Sequence, residues 1–391
     1  MLDGFLGKVF EVFSVFTATN APDALDWGKM LVMWAIGGLL IYLAIKKEME
    51  PTLLLPMGLG TILVNLPLAA IEGIVQPDHG AIDILYNAGI ANELFPLLLF
   101  IGIGAMIDFG PLLSNPKLML FGAAAQAGIF FTLIMATLIG FNINEAASIA
   151  IIGAADGPTS IVVANKLLGN DNPQLIGGII VAAYSYMALV PIIQPPVIKL
   201  LTTKKERRIH MKYEGKSVSK RTRILFPIVV SIVAGIVSPQ SAPLIGFLMF
   251  GNLIRECGVL DSLSETAQKV LANLVTILLG ITVAANMKAD DFLTFDTAKI
   301  LLLGLVAFVF DTAGGVIFAK IINIFLPEGK KINPMIGAAG ISAFPMASRI
   351  VHKMGLEEDN QNFLLMHATG VNVSGQVASV IAGGMILNFF G

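Results

Sequence analysis

The stretch Ile152-Gly-Ala-Ala-Asp156-Gly-Pro-Thr-Ser160 lies inside an apolar run covering 146–168. Such a run reads as helix at membrane depth, and Gly157 with Pro158 breaks its hydrogen-bond ladder directly after the acid. An ionised carboxylate there costs at least about 2.5–3.5 kcal/mol, so a cation, a proton or a partner must offset it. The break also exposes carbonyls and amides beside Asp156. Compact, oxygen-rich and singly anionic, the arrangement suits a hard monovalent cation better than a metal that prefers thiolate or imidazole. A structural reading stands beside this one, with Asp156 capping a half-helix that starts near Thr159. The two readings are compatible.

The rest of the chain agrees with a membrane setting. Of its 391 residues, 55% are hydrophobic and 13% charged, too little charge to cover a soluble protein of this length. Mean hydropathy is +0.81. The runs 117–141, 174–201, 224–238 and 300–326 reach or approach the roughly 20 residues that span hydrocarbon. A single cysteine, Cys257, excludes an intramolecular disulfide framework and reads as a packing residue. His79, His210, His352 and His367 show no metal-ligand spacing, so no transition-metal site is expected. Asp3 and Glu11 interrupt the N-terminal stretch, and no cleavable signal peptide is expected.

Residues 1–28 read as an amphipathic interfacial segment, followed by spans near 30–45 and 51–70. Further spans fall near 94–110, 117–141, 146–168, 174–201, 224–238, 244–254, 270–287, 298–326, 333–351 and 361–390. Four parts follow: an N-terminal scaffold or oligomerisation segment (1–93), a first repeat (94–201), a basic loop (202–223) and a second repeat (224–391). The loop carries nine Lys/Arg against two Glu, which places it in the cytoplasm by the positive-inside rule. It reads as a topology anchor, and no nucleic-acid partner is expected. With Lys46 and Lys47 also inside, full crossing by every first-half span would put that loop outside. One span must therefore be broken or re-entrant, and 146–168 and 51–70 carry the Gly and Pro to do it.

The halves echo each other. Gly153, Pro158, Lys166 and Gln174 recur 187 residues later as Gly340, Pro345, Lys353 and Gln361. Gln126-Ala-Gly-Ile-Phe130 likewise resembles Thr312-Ala-Gly-Gly-Val-Ile-Phe318. An internal repeat whose interrupted helices meet near the midplane is the architecture in which transporters bind substrate and coupling ion.

The second polar motif is Asn333-Pro-Met-Ile-Gly-Ala-Ala-Gly-Ile-Ser-Ala-Phe-Pro-Met-Ala-Ser-Arg349. Asn333 and Ser342 offer neutral oxygens, and Gly337 and Gly340 permit close backbone approach. Arg349 is a permanent cation with a fork suited to a carboxylate, or else a residue snorkelling at a helix end. Plain small-residue packing also accounts for the glycines. In the last span Asn372, Ser374 and Gln376 each need a partner in an apolar helix. Asn372 matches Ser185 by the repeat offset. Beside Ser185, Tyr184 and Tyr186 read either as proton donors or as satisfied hydroxyls in packing.

These motifs carry a resemblance. Gly153 to Thr159, Ala182-Ala-Tyr-Ser-Tyr186-Met-Ala-Leu-Val-Pro-Ile-Ile-Gln-Pro-Pro196 and Asn333 to Arg349 are similar to the β subunit of sodium-pumping, biotin-dependent decarboxylases. That family serves oxaloacetate, methylmalonyl-CoA and glutaconyl-CoA decarboxylases. The similarity runs from about Lys46 to the C-terminus, including Phe100-Ile-Gly-Ile-Gly-Ala-Met-Ile-Asp108-Phe-Gly-Pro111 and Gln361 to His367. It implies that Asp156 is the sodium-linked carboxylate and that Tyr186 takes part in proton delivery. It further implies that Asn333, Gly337, Ser342 and Arg349 form the matching helix motif, that Asn372 completes the ion site, and that Asp108 supports it. The chain departs from the family in a short 71–93 stretch and in Gly169-Asn-Asp-Asn-Pro173, an added turn; neither touches the motifs.

The expectation is thus an all-α polytopic membrane protein with two inverted repeats, broken or re-entrant helices and elevator-like motion. It would decarboxylate carboxybiotin carried by a partner biotin-carrier/carboxyltransferase subunit and couple this to Na+ export with proton consumption. A small membrane subunit, trimeric association through N-terminal helices, and the inner membrane of a prokaryote complete the picture that the resemblance implies. Arg349 would position the substrate carboxylate. No biotin is expected on this chain, since Ala285-Asn-Met-Lys288-Ala ends an apolar helix instead of tipping a hairpin. From the physics of the residues alone, a sodium-coupled symporter of a small organic acid fits equally well. A passive channel fits less well, because a buried carboxylate favours occlusion.

Overall fold

The structure is a computed structural model that describes residues 24–66, 74, 79–169, 171–211 and 217–391. The proposed interfacial segment before Ala24, part of 71–93 and Asn170 of the added turn lie outside the described residues. All regular elements among the described residues are helical, and six are long and apolar enough to cross a membrane. A seventh span forms if Ala81–Ala91 and Leu94–Met106 count as one. The protein is a multi-pass membrane protein.

In chain order the principal helices are α1 (Ala24–Lys47), α2 (Pro51–Val64), α3 (Leu94–Met106), α4 (Met119–Ala125), α5 (Ala127–Ile139), α6 (Ile143–Ala150) and α7 (Gly157–Leu168). They continue with α8 (Pro173–Leu201), α9 (Lys220–Val237), α10 (Ala242–Glu256), α11 (Ala272–Val283), α12 (Phe295–Phe325), α13 (Met346–Glu358) and α14 (Leu365–Phe390).

The chain divides into two compact units, one of Met1–Asn92 with Thr276–Phe295 and one of Glu93–Val275 with Asp296–Gly391. Residues 276–295, which the sequence groups with the second repeat, thus cluster with the N-terminal segment. In that unit Asn65 is the fastener. Its amide donates to the Met287 carbonyl at 2.7 Å, and its oxygen accepts from Ala289 N at 2.7 Å. Lys29 pairs with Asp290 at 2.6 Å. Along α1, Leu31, Leu39, Tyr42 and Ile45 remain exposed, an apolar surface suited to lipid or another chain.

In the larger unit α14 and α8 are the central spans, 72% and 67% buried over their apolar windows. By contrast Val229, Ile232, Val233, Ile236 and Val237 of α9 face outward. The 146–168 run is broken where its sequence demands. Asn142 and Glu145 form a reciprocal cap that starts α6, a 3-10 turn spans Ile151–Ala154, and Ala155 adopts a left-handed φ of 53°. Asp156 then caps α7, with Pro158 in its first turn. The 117–141 run forms one candidate span, Pro116–Ile139, with a one-residue turn at Gln126 between α4 and α5. Just past that turn, the Asp311 carboxylate of α12 takes the backbone N–H of Ile129 at 3.0 Å.

The 333–351 segment is not one helix. A 3-10 turn, Pro334–Gly340, leads into an extended link, and α13 starts only after Pro345. Both halves therefore place a short broken segment before a turn and a long buried helix.

Candidate ion-binding site at a broken membrane helix

Asp156 is 3% exposed and lies at the N-terminus of α7. Its carboxylate is a meeting point. Thr159 Oγ1 donates to Oδ2 at 2.8 Å and Ser379 Oγ at 2.9 Å, with Gln376 Nε2 at 3.3 Å and Ser342 Oγ at 3.4 Å. Oδ1 accepts the Thr159 N–H at 3.4 Å. One donor is local, one comes from the second broken segment and two come from α14. No Lys, Arg or His pairs with it among the described residues. A single negative charge is thus wrapped in neutral oxygens and one amide, with the helix N-terminus adding a partial positive end.

The backbone joins the halves at the same place, where Ser342 N donates to the Ala154 carbonyl at 3.0 Å. Asn372 braces this junction by donating to the Ile341 carbonyl at 2.8 Å. Its Oδ1 is buried without a hydrogen-bond partner, a neutral oxygen open to a cation. Gly337 packs backbone to backbone against Gly315 of α12.

Other residues that the sequence singles out lie elsewhere. Asn333 uses its amide to hold the basic loop, donating to the carbonyls of Arg207 at 2.8 Å and Ile209 at 3.0 Å, while its oxygen caps Met335 N. Arg349 is exposed on the first turns of α13 and forms no ion pair among the described residues. Asp108 caps Gly110 N at 2.8 Å and stands 3.7 Å from Arg223. Ser185 is half-buried and is not a donor to Asp156.

The two tyrosines of α8 divide the space. Tyr186 donates its hydroxyl to the Leu301 carbonyl of α12 and packs on Gly304. Tyr184 lies with its ring against Gly157, next to Asp156, and its buried hydroxyl has no hydrogen-bond partner. The phenol alongside the carboxylate is therefore Tyr184.

Ser379 is the donor that motif reading passed over, although its signal was present. Asn372, Gln376 and Ser379 recur at i, i+4 and i+7, a polar stripe on one face of an apolar helix.

The basic loop is more than charge. Arg207 Nε reaches Glu358 Oε1 at 2.6 Å, His210 meets Asp359 at 3.0 Å, and Asn362 donates to the Arg207 carbonyl at 2.9 Å. Burial would push the Glu206 carboxyl up, but hydrogen bonds from Thr203 and the nearby Lys320 ammonium outweigh it and hold the group below the usual range. Residues 202–211 are thereby clamped onto the second half of the chain.

A family model described as the Na+-transporting oxaloacetate decarboxylase beta subunit matches residues 29–390. The glutaconyl-CoA decarboxylase subunit beta of Acidaminococcus fermentans is 49% identical over 94% of this chain and 95% of its own. The methylmalonyl-CoA decarboxylase subunit beta of Veillonella parvula is 48% identical over 96% and 94%, respectively. The oxaloacetate decarboxylase beta chain of Klebsiella pneumoniae is 45% identical over 92% and 94%. A whole-length match at this identity assigns the polytopic, carboxylate-centred chain to the family of Na+-transporting decarboxylase beta subunits.

Proposed function

We propose that this chain removes CO2 from carboxybiotin presented by a partner biotin-carrier subunit and uses the step to export Na+, consuming a proton. The observation that carries the reading is the Asp156 carboxylate, buried in the membrane unit and contacted by donors from both broken segments' surroundings. Sodium is the cargo. Asp156 supplies the charge, and Ser342, the Asn372 oxygen, the Gly337 carbonyl and the Asn333 segment supply neutral oxygens as the ion enters. A hard monovalent ion favours such ligands.

Arg349, exposed beside the second segment, is assigned to hold the carboxybiotin carboxylate in bidentate fashion. Loss of CO2 leaves a ureido anion that takes up a proton. Tyr186 and Asp156 form the assigned route, with Asp108 and Ser185 in support. A proton entering from the exit side first occupies Asp156 and cancels the charge that holds sodium. It is then passed to the ureido anion, so sodium release on that side precedes and feeds the chemical step.

The repeated order of broken segment, turn and long helix supports two inverted repeats moving in an elevator-like manner. The apolar face of α1 supports association of N-terminal helices, assigned as a trimer, and a small membrane subunit completes the complex. The concentration of Lys and Arg in 202–223 supports a cytoplasmic loop in a prokaryotic inner membrane. Carboxybiotin then docks from the cytoplasm.

The test is sodium-dependent loss of CO2 from free carboxybiotin by the purified wild-type chain in vesicles, with sodium uptake followed in parallel. CO2 loss that requires sodium and drives uptake is expected. Sodium uptake driven by an added organic acid, without CO2 loss, would establish a symporter instead.

A further inference from the structure

Asp311 is the second deeply buried carboxylate of the larger unit, and the proposed transport cycle gives it no part. It sits near the middle of the 31-residue apolar helix α12 and is 1% exposed. Oδ1 accepts the backbone N–H of Ile129 at 3.0 Å, and the Gly128 N–H also bonds the carboxylate, both in the first turn of α5. Oδ2 has no hydrogen-bond partner. It abuts Gly153, where a methyl group would collide with it and with Ala307 Cβ.

Three facts narrow its role. A bare carboxylate at membrane depth needs compensation, and half a helix dipole is less than a full charge. No cationic side chain pairs with it among the described residues. Oδ2 faces Gly153 and has no hydrogen-bond partner, a setting that suits a proton better than a metal ion needing several oxygen ligands. The ionisable groups nearby are few. Elements α4 and α5 and the turn Ile151–Ala154 carry none, and α12 carries Asp296, Lys299 and Lys320 only toward its ends. Among the described residues, Asp156 lies three residues beyond Gly153 on the same segment, and Tyr186 of α8 packs with Ile152 against Gly304 of α12.

We propose that Asp311 is a second proton-carrying carboxyl of the membrane unit, protonated at Oδ2 in this conformation and emptied when the turn bearing Gly153 moves off it. Withdrawal of Gly153 admits water. The Oδ2–H bond then breaks, the proton passes to that water, and the charge left on Asp311 is held by the Gly128 and Ile129 amides. Return of Gly153 expels water and draws a proton back. Because Gly153 and Asp156 share one short segment, the occupancy of Asp311 is tied to the position of the sodium-linked carboxylate. The inference deepens the transport reading and rests on it.

The experiment uses the whole complex in vesicles with Asp311→Asn, which keeps an oxygen for the two amides but cannot release a proton. Sodium binding is expected to persist while decarboxylation-driven sodium uptake falls to background. Uptake at the wild-type rate with an unchanged pH profile would overturn the proposal and leave Asp311 a permanently neutral cap. Should Asp311→Asn fail to assemble, infrared spectra of the Asp156→Asn complex decide the matter. One buried carboxyl C=O band should titrate across the range in which the wild type works, and a band constant throughout that range would overturn it. Wild-type vesicles that release CO2 without moving sodium would defeat the transport reading alone, since the infrared result stands apart from pumping.

Discussion

The two broken segments, 151–160 and 333–345, are built on one plan and do different work. Each begins with a 3-10 turn, passes through non-helical residues and resumes as a helix near a proline. By the 187-residue offset Asp156 corresponds to Ala343, so only the first segment carries charge. The second offers Ser342 as a hydroxyl donor and as a backbone donor to Ala154. Its asparagine, Asn333, is spent on the loop Arg207–Ile209 instead of the carboxylate. One half brings the charge, and the other brings neutral ligands and a tether to the basic loop. Duplicated charge would force one of two adjacent carboxylates to hold a proton.

That division can be broken most severely at its charge. Asp156→Asn is expected to abolish both sodium uptake and sodium-dependent decarboxylation in reconstituted vesicles. Removing compensation worth about 2.5–3.5 kcal/mol corresponds to roughly a 100-fold loss or more in sodium affinity. Retained coupled pumping in that variant would mean the charge lies elsewhere.

The neutral ligands should matter less, in the order of their distances. Ser379→Ala and Ser342→Ala each delete one hydrogen bond, worth about 0.5–1.5 kcal/mol, so the half-saturating sodium concentration should rise a few-fold. Ser379, at 2.9 Å, is expected to exceed Ser342, at 3.4 Å. An unchanged sodium requirement in Ser379→Ala would remove α14 from the site.

Asn333→Ala sharpens the comparison from the other side. It strips the hydrogen bonds that hold the basic loop and should speed proteolytic cleavage within 202–211, a local destabilisation of about 1–3 kcal/mol. A variant with wild-type cleavage and a raised sodium requirement would show that the Asn333 side chain serves the ion and not the loop.

The smallest effect expected is one of pH on the clamp. Glu206 and Asp359 both titrate below the usual carboxylate range, Glu206 despite burial and through Thr203 and Lys320, Asp359 through the Gln361 amide and His210. Lowered groups stabilise the folded state fully above their unfolded values and lose that contribution as pH falls through the lowered values. Hydrogen exchange of 202–211 should therefore rise only on acidification below the ordinary carboxylate range, and less so in Glu206→Gln.

Much of this was legible in the residues. An acid followed by Gly-Pro inside an apolar run predicts a broken helix, and Asp156 caps one. Apolar runs and charge placement located most of the spans. The pairing of the Ile129 N–H with Asp311 was not legible, because that carboxylate lies 182 residues away and no local rule brings it near. Asp311 is an acid in the middle of a long apolar run, and only its tertiary partners Gly128, Ile129 and Gly153 show what it meets. Tyr184 and Tyr186 both face inward from α8, and only packing against Gly157 or Gly304 tells them apart. The loop's clamp needed tertiary partners, Asn333, Glu358 and Asn362, that composition does not reveal.

The central claim is that sodium binds at Asp156 within oxygens drawn from both halves. Equilibrium binding of radioactive sodium to the purified wild-type and Asp156→Asn chains tests it most directly. The account predicts saturable binding by the wild type and none by the variant. Saturable binding of the same affinity by Asp156→Asn would contradict it.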